Sequence, residues 1–572
     1  MAWGARANLG IEDLVARVAA DEPQFFALAL LPSRRFGDAE AAALAAALRT
    51  NTGIAELHLG GRKMSAESAR LLAEALVERA REPEEEAGAR GRRKSASSLR
   101  ALSVGDASFG CAGAAALAPA LSHAGALCGE LDLELRGIGV EGARALAEAV
   151  VEARRQWKKR QGGGGAKSSC SSFLQSLNLA RNPLLGGDKE ACEALSAALF
   201  DEVAGDDEEK EAVLTSLDLS DCRLSSAGVA ALVRESGEAS SSPPSSSPLL
   251  SLRLERNAEL DEVAAVALGR ALKAKLRGLR HLSLSGCGPL LGDAAAREVS
   301  SAFACSRAPG SSLRSLDLSG CGVGPLGAEH LAAALGSEGC ELEKLKLSGG
   351  GGEGEEKEEK EKGATMATKT KLKTLGNEGA LLLARALAEA SSFSTLRDLD
   401  LSSCGISSAE AAAALLLRNP SSGGSSSSSS GRGLDSLTLA GNPLGDAGAS
   451  AVAAALAEMT KASSEERLEH LDLAACGIGL EGAAALADAL LLRMPTTATT
   501  TATSEEGGEG KEQEGGSFSA APRLRTLVLG GNPATEDDAF AESVVARLRD
   551  ARPELDVAWR SGDQHAAAAE KK

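Results

Sequence analysis

The sequence predicts an α/β solenoid of about 13–14 repeats: a right-handed horseshoe with parallel inner strands and outer helices. Three observations predict it. A Leu-x-x-Leu-x-Leu core has its central leucine at Leu57, Leu102, Leu131, Leu177, Leu217, Leu252, Leu282, Leu316, Leu345, Leu399, Leu437, Leu471 and Leu527. Five residues after that leucine stands Asn in four units (Asn182, Asn257, Asn442, Asn532) and Cys in five (Cys222, Cys287, Cys321, Cys404, Cys476). The 572 residues contain no Tyr, 10 Phe and 3 Trp, so a thin layer of Leu, Val and Ala, repeated, must serve as the core.

The elements follow in chain order. "IEDLVARVAADEP" (11–23) is patterned as an amphipathic helix, and residues 1–24 are assigned as an N-terminal helical cap. The repeats span 25–560, opening with a worn unit at 26–48. Within a unit, "LDSLTLAGN" (434–442) alternates so that Leu437 and Leu439 face inward as a strand. The turn-position Asn is expected to bridge buried backbone groups to the next layer, and Cys to sit there as a small, weakly donating hydrophobe. Alanine-rich stretches such as "DAGASAVAAAL" (446–456) form helices that lie close to their strands. Strands stack ~4.8 Å apart but helices need roughly 8–10 Å, so stacked units must fan out. "PELDVAW" (553–559) reads as a closing edge strand, and 561–572 as a disordered tail.

The units "NPLGDAGA" and "CGIGLEGA" leading into helices resemble the ribonuclease-inhibitor class of leucine-rich repeats over roughly residues 25–560. That class also includes Ran GTPase-activating proteins and the repeat halves of NOD-like receptors. The resemblance implies a protein-binding solenoid and, as an alternative, a GTPase-activating regulator whose partner is a small GTPase. No functional residue of the Ran activators can be matched one-to-one here, and the chain ends in "AAAAEKK" rather than an acidic tail.

Between complete units lie low-complexity insertions at 82–98, 154–172, 201–212, 236–248, 419–433 and 494–522, and one at 349–371 that splits a unit after its strand. Their composition cannot bury enough apolar area to fold alone. The basic runs "RGRRK" (90–94) and "RRQWKKR" (154–160) read as solvated loops, with nuclear import as their functional alternative. Ser-Pro steps at Ser242 and Ser247 likewise read as solvated loop, with phosphorylation as their functional alternative.

Each motif that could carry chemistry fails on its own requirements. In "QGGGGAKSS" (161–169) Ala166 stands before Lys167 where a phosphate loop needs Gly, and no strand leads into it. His281, Ser283 and Asp317 invite a triad, but an open strand face supplies no oxyanion hole. Asp132, Asp218, Asp317, Asp400 and Asp472 recur at one repeat position, which the repeat itself explains. The six histidines are scattered without ligand spacing. The sequence therefore predicts no catalytic residue, no cofactor and no metal.

What remains is a surface for a protein partner. Candidate contact residues on the inner face are Asp132, Asn178, Arg181, Asp218, Arg253, Arg256, His281, Asp317, Lys344, Lys346, Asp400, His470 and Asp472. A net charge of −18 disfavours nucleic acid and anionic membrane. The odd count of 11 cysteines, without a CxxC pair or an apolar leader, points to a reducing, cytoplasmic setting, with the nucleus as an alternative.

Overall fold

The computed structural model describes residues 10–22, 25–30, 35–81, 98–123, 126–161, 174–186, 189–200, 214–233, 248–303, 312–337, 339–349, 373–389, 395–417, 433–462, 468–491 and 523–560. The chain packs as two compact units, one essentially residues 1–291 and the other 292–572, with 311–313 joining the first.

The first unit holds strands β1 (Ala27–Ala29), β2 (Glu56–His58), β3 (Leu99–Ser103), β4 (Leu127–Asp132), β5 (Ser176–Asn178), β6 (Ser216–Asp218), β7 (Ser251–Arg253) and β8 (His281–Ser283). They pair in parallel and in chain order, with the central leucines in register. Each of β1 to β7 is followed by a helix: α2 (Asp38–Leu48), α3 (Ala66–Ala80), α4 (Gly110–Ser122), α5 (Val140–Gln161), α6 (Lys189–Phe200), α7 (Ser226–Leu232) and α8 (Glu262–Lys273). Helix α1 (Ile11–Ala19) packs on α2, and Asn51 ties the two by donating to the Val18 carbonyl at 2.8 Å.

The second unit opens with helix α9 (Gly292–Phe303), followed by β9 (Ser315–Asp317), α10 (Pro325–Leu335), β10 (Lys344–Lys346), α11 (Gly376–Glu389), β11 (Asp398–Asp400) and α12 (Ala409–Ala414). After these come β12 (Ser436–Thr438), α13 (Gly445–Ala462), β13 (His470–Asp472), α14 (Leu480–Leu490) and β14 (Thr526–Val528). A last helical run (Asp538–Phe540, a π turn at Ala541–Ala546, Arg547–Ala551) precedes the closing strand β15 (Asp556–Ala558). β9 to β15 are again parallel and in register.

The predicted periodicity is present in both units. All thirteen central leucines are buried, and Leu28 and Val557 hold the same place in β1 and β15. Helix α5 corrects one boundary. It runs to Gln161, so 154–161 of the expected loop are helical, because Arg, Gln and Lys continue a helix at little cost. The remaining insertions lie outside the described residues, apart from Ser98, Gly349, Gly433 and Pro248 at their edges.

The turn after each strand is tied to its neighbour by one device. Asn182 Nδ2 donates to the Leu133 carbonyl of the preceding repeat at 2.9 Å, while its Oδ1 accepts from the Arg136 and Ile138 N–H groups, both at 3.0 Å. Asn257 makes the same set toward Leu219, Cys222 and Leu224. Asn442 reaches Leu401 and Ile406, and Asn532 reaches Leu473, Cys476 and Ile478. Cysteine keeps the donor bond. Cys222, Cys287, Cys404 and Cys476 contact the equivalent carbonyls of Leu179, Leu254, Leu347 and Leu439 at 2.9–3.2 Å. Burial pushes the Cys222 and Cys404 thiols up to about 12 and Cys476 to about 11. Two earlier units use arginine in the same place. Arg62 donates to the Leu30 carbonyl at 3.1 Å and Arg136 to that of Val104 at 2.7 Å, and both are buried.

A second tie joins the helices. Asp446, in the first turn of α13, accepts from the Gly479 and Gly482 N–H groups at the start of α14, at 2.7 and 2.9 Å. A side chain on Gly482 would collide with that carboxylate. Asp293 serves Gly324 and Gly327 in the same way, and Asn377 serves Ser407 and Ser408. The carboxylate thus satisfies donors at the next repeat's helix start and sits at the positive end of its dipole.

Candidate functional site

The strand face carries the variable side chains. On either side of each buried leucine the strand residues are half-buried or exposed in most repeats: β7 presents Arg253, β8 His281, and β10 both Lys344 and Lys346 to solvent. These four residues stand where the sequence places them. Asp132, Asn178, Asp218, Asp317, Asp400, His470 and Asp472 also lie on strands and are half-buried.

The acids among them have a prior engagement. Each Oδ1 accepts the backbone N–H two residues on: Asp132 from Glu134, Asp218 from Ser220, Asp317 from Ser319, Asp400 from Ser402 and Asp472 from Ala474, at 2.9–3.1 Å. Asn178 does the same for Ala180 at 3.0 Å. The recurring Asp therefore closes the end of its own strand, as Asx turns do. Burial raises the Asp472 pKa above the usual carboxylate value, although the Ala474 N–H and His470 oppose it.

Some candidates are brought together. Asn178 Nδ2 reaches Asp132 at 3.0 Å, and Ser103 Oγ donates to the same carboxylate at 2.9 Å. Arg253 lies 3.8 Å from Asp218, and Lys344 lies 2.5 Å from Asp398. His281 and Ser283 belong to the first unit and Asp317 to the second. Ser283 instead donates to Glu255 at 2.8 Å. Among the described residues no group of His, Cys, Asp and Glu could hold a metal.

Arg181 and Arg256 are corrected. They lie beyond β5 and β7, in the following turn, with left-handed φ of 59° and 56°. This turn position, four residues after the central leucine, is glycine in Gly61, Gly286, Gly320, Gly441 and Gly531. Leu135 and Asp221 also occupy it with positive φ, and Arg223 holds a second left-handed position that is Gly137, Gly288, Gly322, Gly405 and Gly477 elsewhere. An L-residue held there costs about 1–2 kcal/mol against glycine. Alignment of the repeats makes these departures legible, but only the dihedrals reveal their strain.

The leucine-rich repeat family model matches residues 212–233, 311–332, 394–409, 434–453 and 468–487. The chain carries leucine-rich repeats. Among solved structures, the yeast Rad7–Elc1 complex matches at 16% identity and a TM-score of 0.35, covering 82% of each chain. An internalin, InlF, from Listeria monocytogenes str. 4b F2365 matches at 13% identity and a TM-score of 0.39, covering 83% of this chain and 91% of that one. No curated protein matches the sequence. These leucine-rich repeats account for the open parallel sheet in each unit and for the strand face left uncovered by the helices.

Proposed function

We propose that this protein is a non-enzymatic scaffold of the ribonuclease-inhibitor kind that binds a protein partner through the strand face of its repeats, in the cytoplasm. One observation carries the reading: on strands of constant geometry, the side chains beside the buried leucine change from repeat to repeat and are accessible. Arg253 and Lys344 expose more than half of their side chains, and Lys346 is exposed, beside fully buried leucines. Such a face reads a partner by charge at fixed spacing, and surface charge pairs of this type are screened within ~8–10 Å. An acidic balance of −18 supports a protein partner over nucleic acid or an anionic membrane.

A photo-crosslinking residue at Ser283 or Lys346 should capture the partner in cell extract, with yield falling as salt rises, whereas one at Arg385 on α11 should not. Equal capture from α11 would overturn the reading. Reversal of Arg253, Lys344 and Lys346 to Glu should change what is captured. The matching reversal of Asp218, Asp317, Asp400 and Asp472 is a poor probe, since it removes four turn-closing bonds. Single-turnover GTP hydrolysis by a panel of small GTPases should be unchanged by the protein; acceleration would favour the regulator reading instead.

A further inference from the structure

We infer that the turn edge of the first unit, over the repeats of β4 to β8, docks an acidic, apolar protein segment. The inference rests on the reading of the chain as a protein-binding scaffold and names one partner chemistry for it.

Three arginines from three successive repeats stand on this edge: Arg181, Arg223 and Arg256, all exposed and all with left-handed φ (59°, 53° and 56°). Glycine with left-handed φ fills each of the two corresponding positions in five other repeats. Backbone strain of this kind persists where the side chain is needed. None of the three donates to a buried carbonyl of the preceding repeat, as Arg62 and Arg136 do. Arg181 meets Glu134 at 3.5 Å, a long and exposed pair, while Arg223 and Arg256 have no ion pair among the described residues. The stem of Arg256 lies over Gly286, where a Cβ would touch its Cγ at 3.5 Å.

Large apolar side chains are exposed in the same run of repeats. Leu135 is 44% exposed, Leu184 64%, Val263 57% and Leu290 70%. Leu184 lies close to Gly139 of the repeat before, and a Cβ on Gly186 would strike the Arg223 carbonyl, so the turn that carries Leu184 stacks on the turn that carries Arg223. The acids of these turns are Glu134, Asp221, Glu255, Glu259 and Asp261; Glu134 pairs with Arg181, Glu255 accepts from Ser283 and Asp261 caps α8, and among the described residues none forms an ion pair with Arg223 or Arg256. Guanidinium groups bind carboxylates through paired donors, and arginine beside exposed leucine suits a segment that alternates carboxylates with large apolar side chains.

The test uses the full chain and two fluorescein-labelled synthetic peptides, one alternating Glu with Leu and Phe, the other with Lys in place of Glu. Fluorescence anisotropy should register saturable binding of the acidic peptide only. The variant Arg181→Gly/Arg223→Gly/Arg256→Gly should weaken it at least about tenfold, with Tm unchanged or raised, because glycine relieves the left-handed strain. Arg256→Gly alone should give a smaller loss in the same direction. Unchanged peptide binding, a fall in Tm, or equal binding of the basic peptide would overturn the inference, as would no binding to the parent. Crosslinking from Lys346 in the second unit reads the strand-face proposal separately, so the failure of one is distinguishable from the failure of the other.

Discussion

The two units share a repeat but treat one turn differently. In the first, Leu135, Arg181, Asp221 and Arg256 fill the left-handed position over four consecutive repeats, with Arg223 at the second such position. In the second, described residues there are Gly320, Ser403, Gly441, Ala475 and Gly531. Buried ties are common to both: Asn182 and Asn257 in the first, Asn442 and Asn532 in the second. The contrast teaches where this chain departs from the easiest backbone. Buried donors and acceptors leave no freedom, so they recur; the exposed turn is free to vary, and only the first unit fills it with bulky residues.

The largest effect should come from what the units share. Asn182→Ala and Asn442→Ala should each cost about 1–3 kcal/mol by orphaning buried backbone groups, read by urea denaturation. Similar losses are expected, since both residues give and accept the same kinds of bond. A loss confined to one unit would break the comparison at its root.

A reciprocal swap sharpens the contrast. Gly531→Arg, at φ 73° where a Cβ would meet only ordinary contacts with Ala475 at 3.6 Å or more, should lose about 1–2 kcal/mol, whereas Leu135→Gly should be neutral or gain by up to a similar amount. Both are read from Tm; a loss on Leu135→Gly would mean that this side chain packs rather than binds.

The thiols offer a pH test. In the unfolded chain a cysteine ionises near its ordinary value of 9.0, whereas burial holds Cys222 and Cys404 protonated up to about 12. Their contribution to stability is therefore complete below pH 9 and falls as pH rises from 9 toward 12, because only the unfolded state releases the proton. At pH 8 Cys222 and Cys404 should resist iodoacetamide in the native protein and react once urea unfolds it. Rapid native alkylation of either would place that thiol at the surface.

The smallest change is Asp472→Asn. Asn178 already closes the equivalent turn of β5, so the amide should keep the bond to the Ala474 N–H and remove a charge that burial disfavours. The raised pKa of Asp472 means that its ionised form opposes folding as pH rises through that pKa, so the variant should be neutral or gain a few tenths of a kcal/mol at neutral pH. A loss above that would show that the charge itself is used, a sharper mark for the strand face in the second unit than in the first.

By itself the sequence determined the strand centres, the helices and the nine Asn or Cys turns, because burial on a two-residue alternation is a local property repeated in every unit. It also placed Arg253, His281, Lys344 and Lys346 on the accessible face. Only the tertiary structure revealed that Arg62 and Arg136 supply the donor half of the asparagine tie, since a long side chain can reach the equivalent carbonyl from a residue type that pattern reading assigns to solvent. Only it put Asp446 on the next repeat's helix, 33 residues on, and committed the recurring strand aspartates to their own turns. Leucine periodicity depends on what each residue is; these pairings depend on which neighbour the fold stacks beside it, and no local pattern records that.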